Sequence, residues 1–207
     1  MLHYEILDKK RVEIIPLFRP FKKDFYLAGD TGLALQIGHR DSLDFDFFSQ
    51  KAFDPGKLFL TLKDIFEGFK LIKVQEEKDT LSVILEDSIK ISFFTYNYGL
   101  VKRPIKEDYF NLASLEDIGC MKLSAVVSRA TNKDYIDLYF ILKRIPLAVL
   151  LKEAGKKFPE LDQNLILKSL VYFKDIGKNP IRFRNNNKVG FSEVKNFIKK
   201  SVLDFLK

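Results

Sequence analysis

Between Phe25 and Phe48 the chain reads FYLAGDTGLALQIGHRDSLDFDFF, and this stretch limits the available folds more than any other. The apolar run Phe25 to Ala28 fits a short buried strand, and Gly29-Asp30-Thr31 ends it with residues that tolerate tight or left-handed backbone. Asp30 or Thr31 then caps a helix from about 32 to 38. Its free N–H groups and positive dipole end outline an anion site beside the turn. Leu43 to Phe48 follows as a second strand, in which Asp44 and Asp46 alternate with Leu43, Phe45 and Phe47. A period of two turns both carboxylates to one face.

Two acids on one strand face can share Mg²⁺, which takes one or two carboxylates together with substrate phosphate oxygens. Nucleotidyl transfer needs that arrangement, because phosphate charge must be neutralised and the attacking oxygen held in line. The same Asp-x-Asp is also the ordinary polar face of an edge strand. Further along, Lys122, Arg129, Lys133 and Asp137 recur at spacings of seven, four and four, which is one helical face if the phase survives 130 to 132. Such a face either meets a triphosphate or is solvated, with an exposed Lys133–Asp137 pair. His39 and Arg40 are candidates to contact a nucleotide or orient Asp44, although a histidine at a helix end is equally a cap or a core polar group.

Composition excludes several classes. With 46% apolar residues the 207-residue chain can bury a real core, in one compact domain or two small ones. A single cysteine, Cys120, excludes an internal disulfide framework and fits a reducing cytosol. The charged N-terminal stretch is unlike a signal peptide, and no apolar run approaches the roughly 18 residues of a membrane span. The net charge of +7 is concentrated from Lys178 onward, where eight Lys or Arg meet only Glu193 and Asp204. That basic stretch, with Arg182-Phe183-Arg184, suits RNA phosphates or a solvated face.

The remaining periodicity gives a frame. Residues 4 to 15 read as helix or a mixed segment, with Pro16 and Pro20 marking a boundary. Asp54-Pro55 starts a helix through 66. Residues 69 to 75, 80 to 86 and 89 to 96 read as an antiparallel meander, followed by a connector from 96 to 108. Helices then occupy 115 to 129, 135 to 142, 147 to 154, 162 to 174 and 192 to 206, with Thr131 and Asp134 as a capping box at the break.

Residues 25 to 48 closely resemble the first motif of the AbiEii/AbiGii-type nucleotidyltransferases, a branch of the DNA polymerase β-like superfamily. Leu27-Ala28-Gly29, the Ala34-Leu35-Gln36 helix, Gly38-His39-Arg40, Ser42 and Asp44-x-Asp46-Phe47-Phe48 occur in order, with twelve residues from Gly32 to Leu43. Met121-Lys122-Leu123, Ala125, Arg129, Lys133-Asp134 and Asp137-Leu138 resemble the later motifs. The resemblance implies an α+β fold with a polymerase β-like nucleotidyltransferase core over 1–112, a small mixed sheet with flanking helices, followed by a helical region over 113–207. It implies Asp44, Asp46 and Lys122 as catalytic, with Mg²⁺ or Mn²⁺ on Asp44 and Asp46. Gly29, Asp30, Thr31, His39, Arg40, Ser42, Arg129, Lys133 and Asp137 would surround the nucleotide.

The implied activity moves an NMP from an NTP to an acceptor hydroxyl, on RNA such as tRNA or on protein. Such a protein would be the cytoplasmic toxin of a toxin–antitoxin or phage-defence pair, with a cognate antitoxin as partner. Two positions depart from the pattern: Asp30 stands where a second glycine is common, and Ser92 where the superfamily often places a third acid. They keep open a catalytically weak nucleotide-binding protein, beside an RNA- or partner-binding module that uses the basic C-terminal stretch.

Overall fold

The glycine turn and the Asp-x-Asp strand lie in the middle of the sheet. The computed structural model describes residues 2–207. Lys9–Ile14 (α1) is capped by the Asp8 side chain and passes into a 3-10 run, Ile15–Lys23. The expected proline boundary is instead a continuous 3-10 segment, with Pro16 in its first turn, where the missing donor costs nothing. Tyr26–Ala28 (β1) leads directly into Gly29–Ile37 (α2), and Phe45–Ser49 (β2) returns antiparallel to β1.

The helix α2 begins at Gly29, three residues earlier than expected, and no side chain caps it. Asp30 and Thr31 are therefore in its first turn rather than at its cap. Gly29 makes this abrupt strand-to-helix turn at φ +65°, and a Cβ there would meet an Asp46 carboxylate oxygen at 3.0 Å. At the other end Gly38 supplies the left-handed C-cap at φ 68°.

Pro55–Ile65 (α3) is capped by Asp54, as its sequence indicates. The meander forms as Leu71–Glu77 (β3), Thr80–Leu85 (β4) and Ile89–Thr95 (β5). Within the connector, Ile105–Lys106 (β6) and Asn111–Leu112 (β7) pair with each other, and β7 joins β1. Two-residue strands carry no readable period, so the sequence gives them no signal. The sheet order is β3-β4-β5-β2-β1-β7-β6. The pairing that matters most is β2 parallel to β5, which sets Asp46 opposite Ser92 and Phe48 opposite Phe94.

Five helices follow: Leu115–Ser128 (α4), Asn132–Leu142 (α5), Leu147–Lys157 (α6), Gln163–Val171 (α7) and Phe191–Phe205 (α8). The Thr131–Asp134 capping box is formed as expected. Phe18, Phe21, Phe45, Phe47 and Phe93 fill one core, with Phe18 and Phe45 edge-on at 4.9 Å. The helical half fills the other together with Tyr26, Ala28, Leu33 and Ile37, while Ala34 and Leu35 of α2 serve the first. A helix apolar on nearly all sides is thus clamped between two cores, which fixes its N-terminal turn beside β2. Cys120 is buried, and burial, with Asp117 nearby, pushes its thiol up to about 12, so it is an inert core residue. No helix among the described residues is long and apolar enough to cross a membrane.

Candidate active site

A cleft of about 1140 Å³ opens between the sheet face that carries Asp44 and Asp46 and the helices α4 and α5. Its floor is the Gly29 turn, its sheet wall runs through Asp44, Asp46, Phe48, Lys90 and Phe94, and its helical wall through Met121, Lys122, Arg129 and Lys133. Strand alternation puts Phe45 and Phe47 in the core and leaves Asp46 half-buried on the cleft side; β2 starts at Phe45 rather than at the expected Leu43, so Asp44 is exposed on the segment that leads into it. Neither carboxylate has an ion pair or a side-chain hydrogen bond among the described residues.

Asp46 is under electrostatic pressure. Burial, then Asp30 and Asp44, pushes its carboxyl up to about 6, against partial relief from Lys90 and Lys122. Two adjacent carboxylates without a protein cation fit a divalent metal, which would satisfy both at once. Among the described residues no group of three or more His, Cys, Asp or Glu side chains is arranged around a metal position, so further ligands would come from substrate and water.

Behind this pair lies a buried ionic network. Asp137 is fully buried and accepts a two-pronged bond from Arg40, Nε at 2.8 Å and Nη2 at 2.7 Å, while Lys122 Nζ stands 2.6 Å away. Burial alone would raise the Asp137 pKa, but Arg40, Lys122 and the His39 bond hold it well below the usual carboxylate range. Lys122 also contacts Asp134 at 3.0 Å and forms a short ion pair with Asp30, which in turn lies 3.0 Å from Arg40. Burial would lower the Lys122 pKa, but Asp137, Asp30 and Asp134 outweigh it and keep the ammonium charged.

His39 is different: burial, helped by the charges of Arg40 and Lys122, lowers its pKa against the pull of Asp137, so the ring is neutral. Its Nε2–H therefore donates to Asp137 at 2.8 Å, and Nδ1 is left without a partner. Asp30, Asp134 and Asp137 thus face Arg40 and Lys122, with Arg129 also 3.5 Å from Asp134 at the edge, and the network carries no spare positive charge.

The residues singled out in the sequence fall into distinct places. Gly29, Asp30, Arg40, Ser42, Asp44, Asp46, Lys122, Arg129 and Lys133 all line the cleft. Thr31 is buried, its hydroxyl donating to the Asp44 carbonyl and paired with Ser42 at 2.8 Å, so it clips α2 to the start of β2. His39 and Asp137 lie beneath the lining. Lys133 faces the cleft without an ion-pair partner among the described residues, rather than forming an exposed pair with Asp137. Ser92 is buried and bonded to Ser82 at 3.0 Å.

Other lining residues were not singled out. Phe48 and Phe94 share the phase of Asp46, which strand alternation predicts, but the pairing of β2 with β5 cannot be read from either segment. Arg182 arrives from the C-terminal basic stretch, which here is partly docked. Phe183 bridges Arg40, Asp41 N–H donates to the Arg182 carbonyl at 2.9 Å, and both Arg182 and Arg184 pair with the Asp41 carboxylate. The Asp41 partnership spans distant sequence, which is why it is invisible there.

Comparison with known proteins fits this geometry. A protein of Aquifex aeolicus (strain VF5), described as uncharacterized, is 38% identical over 189 residues, 88% of each chain. JHP933 from Helicobacter pylori is similar in structure at TM-score 0.60, with 14% identity, over 98% of this chain and 92% of that one. The nucleotidyltransferase toxin MenT4 from Mycobacterium tuberculosis is similar at TM-score 0.57, with 17% identity, over 92% and 80%. At these identities the two structures speak for the fold, a mixed sheet with flanking helices of the nucleotidyltransferase kind. Residues 17–193, which contain both ends of the cleft, match the family described as "Nucleotidyl transferase AbiEii toxin, Type IV TA system", and the chain belongs to that family.

Proposed function

We propose that the cleft transfers a nucleoside monophosphate from an NTP to an acceptor hydroxyl, with Asp44 and Asp46 holding Mg²⁺ or Mn²⁺. The observation that carries this reading is the pair of cleft-facing carboxylates with no protein cation of their own. A divalent cation bound there supplies neutralisation of phosphate charge and polarisation of the α-phosphate. Arg129, Lys133 and Arg182 rim the cleft and would take the β- and γ-phosphates. Lys122 and Arg40, held by Asp137, keep the floor rigid behind the reacting phosphate. The acceptor oxygen bonds to the α-phosphorus, the bond to the bridging oxygen breaks, pyrophosphate leaves, and the hydroxyl proton passes to solvent through the open cleft.

We further propose that the protein is the toxin of a pair whose partner is an antitoxin, acting in the cytoplasm, a reading that its family supports. The test is transfer of α-³²P label from each NTP onto total RNA and protein. Label that appears with Mg²⁺ or Mn²⁺, and is lost with EDTA and in Asp44→Ala/Asp46→Ala, is the expected result. No label in any combination, beside measurable NTP binding, sinks transfer and favours a nucleotide-binding protein without turnover.

Asp30 is the observation that favours this second reading. Its carboxylate occupies the first turn of α2 between Arg40 and Lys122, where a phosphate would otherwise sit. Removing it should improve nucleotide binding: Asp30→Gly is expected to lower the NTP Kd about tenfold, or ~1.4 kcal/mol. Titration of a fluorescent NTP measures this, and an unchanged or higher Kd would show that Asp30 does not compete with phosphate.

A further inference from the structure

The cleft changes character along its length. Arg129 closes the C-terminal end of α4, and with Lys133 and Arg182 it makes that end cationic. At the start of α4 the lining is apolar. Tyr96 stands there, with Lys157 5.7 Å from its ring, and Lys157 is paired at 2.9 Å with Asp117 of α4. Phe48, Phe94 and Tyr96 form one wall, with rings 5.3 Å apart for Phe48 and Phe94 and 5.5 Å for Phe48 and Tyr96. Met121 of α4 completes the apolar lining.

All three rings are half-buried and line the cleft, whereas Phe45, Phe47 and Phe93, which alternate with Phe48 and Phe94 on the same strands, are fully buried. Phe48 also follows Asp46 by two residues on the same strand face, a separation of about 6.7 Å. The aromatic wall is therefore one nucleotide's reach from the two carboxylates.

Direction follows from the chemistry, and this step rests on the nucleotidyl-transfer reading above. In-line displacement puts the attacking oxygen and the leaving pyrophosphate on opposite sides of the α-phosphorus. With pyrophosphate at the cationic end, the acceptor enters from the aromatic end. Phe48 and Phe94 are tilted only 32° from each other, with Tyr96 edge-on to Phe48 at 71°, and such a pair of rings suits an unpaired base, since every base has a π-face to stack. A side-chain hydroxyl of a protein acceptor has no use for it.

We propose that Phe48 and Phe94, flanked by Tyr96, stack the terminal base of a single-stranded nucleic-acid acceptor and so present its ribose hydroxyl beside Asp44 and Asp46. The hydroxyl oxygen gains the α-phosphorus, pyrophosphate departs with the electron pair of the broken bond, and the proton goes to solvent.

The test uses the full chain and a short single-stranded RNA with 2-aminopurine at its 3′ end, without NTP or metal, so it reads binding apart from turnover. Quenching on binding is expected, with none when the probe is placed mid-strand. Phe48→Leu and Phe94→Leu, which keep apolar volume in the wall, should each weaken it about tenfold. Binding of a ribose-labelled NTP should be unchanged in both, and thermal melts should confirm that both variants fold. Equal quenching in both variants overturns the proposal. So does a parallel loss of NTP affinity, which would assign the wall to the incoming nucleotide's own base. Quenching that persists while no label is transferred by wild type supports the subsite and rejects the transfer reading instead; transfer to protein alone, without quenching, rejects the subsite only.

Discussion

Asp46→Asn is expected to abolish nucleotidyl transfer and, in the same protein, to raise the stability of the metal-free form. If the pair holds the metal as proposed, loss of one of its two carboxylates removes several kcal/mol of transition-state stabilisation, a fall of about 10³-fold or more in transfer rate. The stability effect has the opposite sign because of where the carboxylate sits. Burial, with Asp30 and Asp44 beside it, raises its pKa to about 6, above the roughly 3.9 of an unfolded aspartate. Between those values the folded state binds more protons than the unfolded one, so stability falls as pH rises from about 4 to 6 and stays lower above that.

Asparagine removes this penalty, and a gain of about 1–3 kcal/mol at pH 7 follows. Melting curves in EDTA check it: the variant should melt several degrees above wild type at pH 7, and the gap should close near pH 4. A variant that melts lower at pH 7 would mean that Asp46 is already satisfied in the metal-free state. Added Mg²⁺ should stabilise wild type and leave Asp46→Asn unmoved.

The second large effect is on folding. Asp137→Ala leaves Arg40 and Lys122 buried at 1% and 3% exposure without their central counter-charge. Removing one partner of a buried ion pair costs about 3–5 kcal/mol, because the remaining charge has no solvent. Urea unfolding should show that loss, and Asp137→Asn, which keeps hydrogen-bond acceptance, should lose less. A cost below about 1 kcal/mol would show that Asp30 and Asp134 suffice to hold both cations. Since the folded-state pKa of Asp137 is held well below the unfolded value, its contribution is complete at neutral pH and disappears as the solution is made acidic.

The two substitutions separate roles that the sequence places together. Asp46 and Asp137 both belong to motif-bearing stretches, yet one faces the cleft and the other is sealed under it. The alternation around Asp44 and Asp46, the Asp54 and Thr131 caps and the 69 to 96 meander were legible because each is a local pattern with a short period. The position of Asp137 was not, since a helical wheel orders residues about an axis but does not say which side is roofed by Arg40. Nor was the saturation of Lys122 by three carboxylates, which come from α2 and α5 and none from its own helix α4. The start of α2 was misplaced for a local reason: Gly29 turns so sharply that the helix needs no capping side chain.

The docking of the residue 182 to 184 stretch also bears on when the cleft is complete. Arg184 reaches Asp41 across 143 residues of sequence, and backbone bonds from 182 to 184 run alongside 39 to 41. Chains emerge from the ribosome N-terminus first, at about 5–20 residues per second. The Asp44–Asp46 strand and its meander can therefore assemble early, while Arg182 and the clasp on Asp41 are still unmade. A nascent chain carries an unfinished cleft until residues 182 to 184 have been synthesised and have reached 39 to 41, so the order of synthesis delays the moment at which the site is complete.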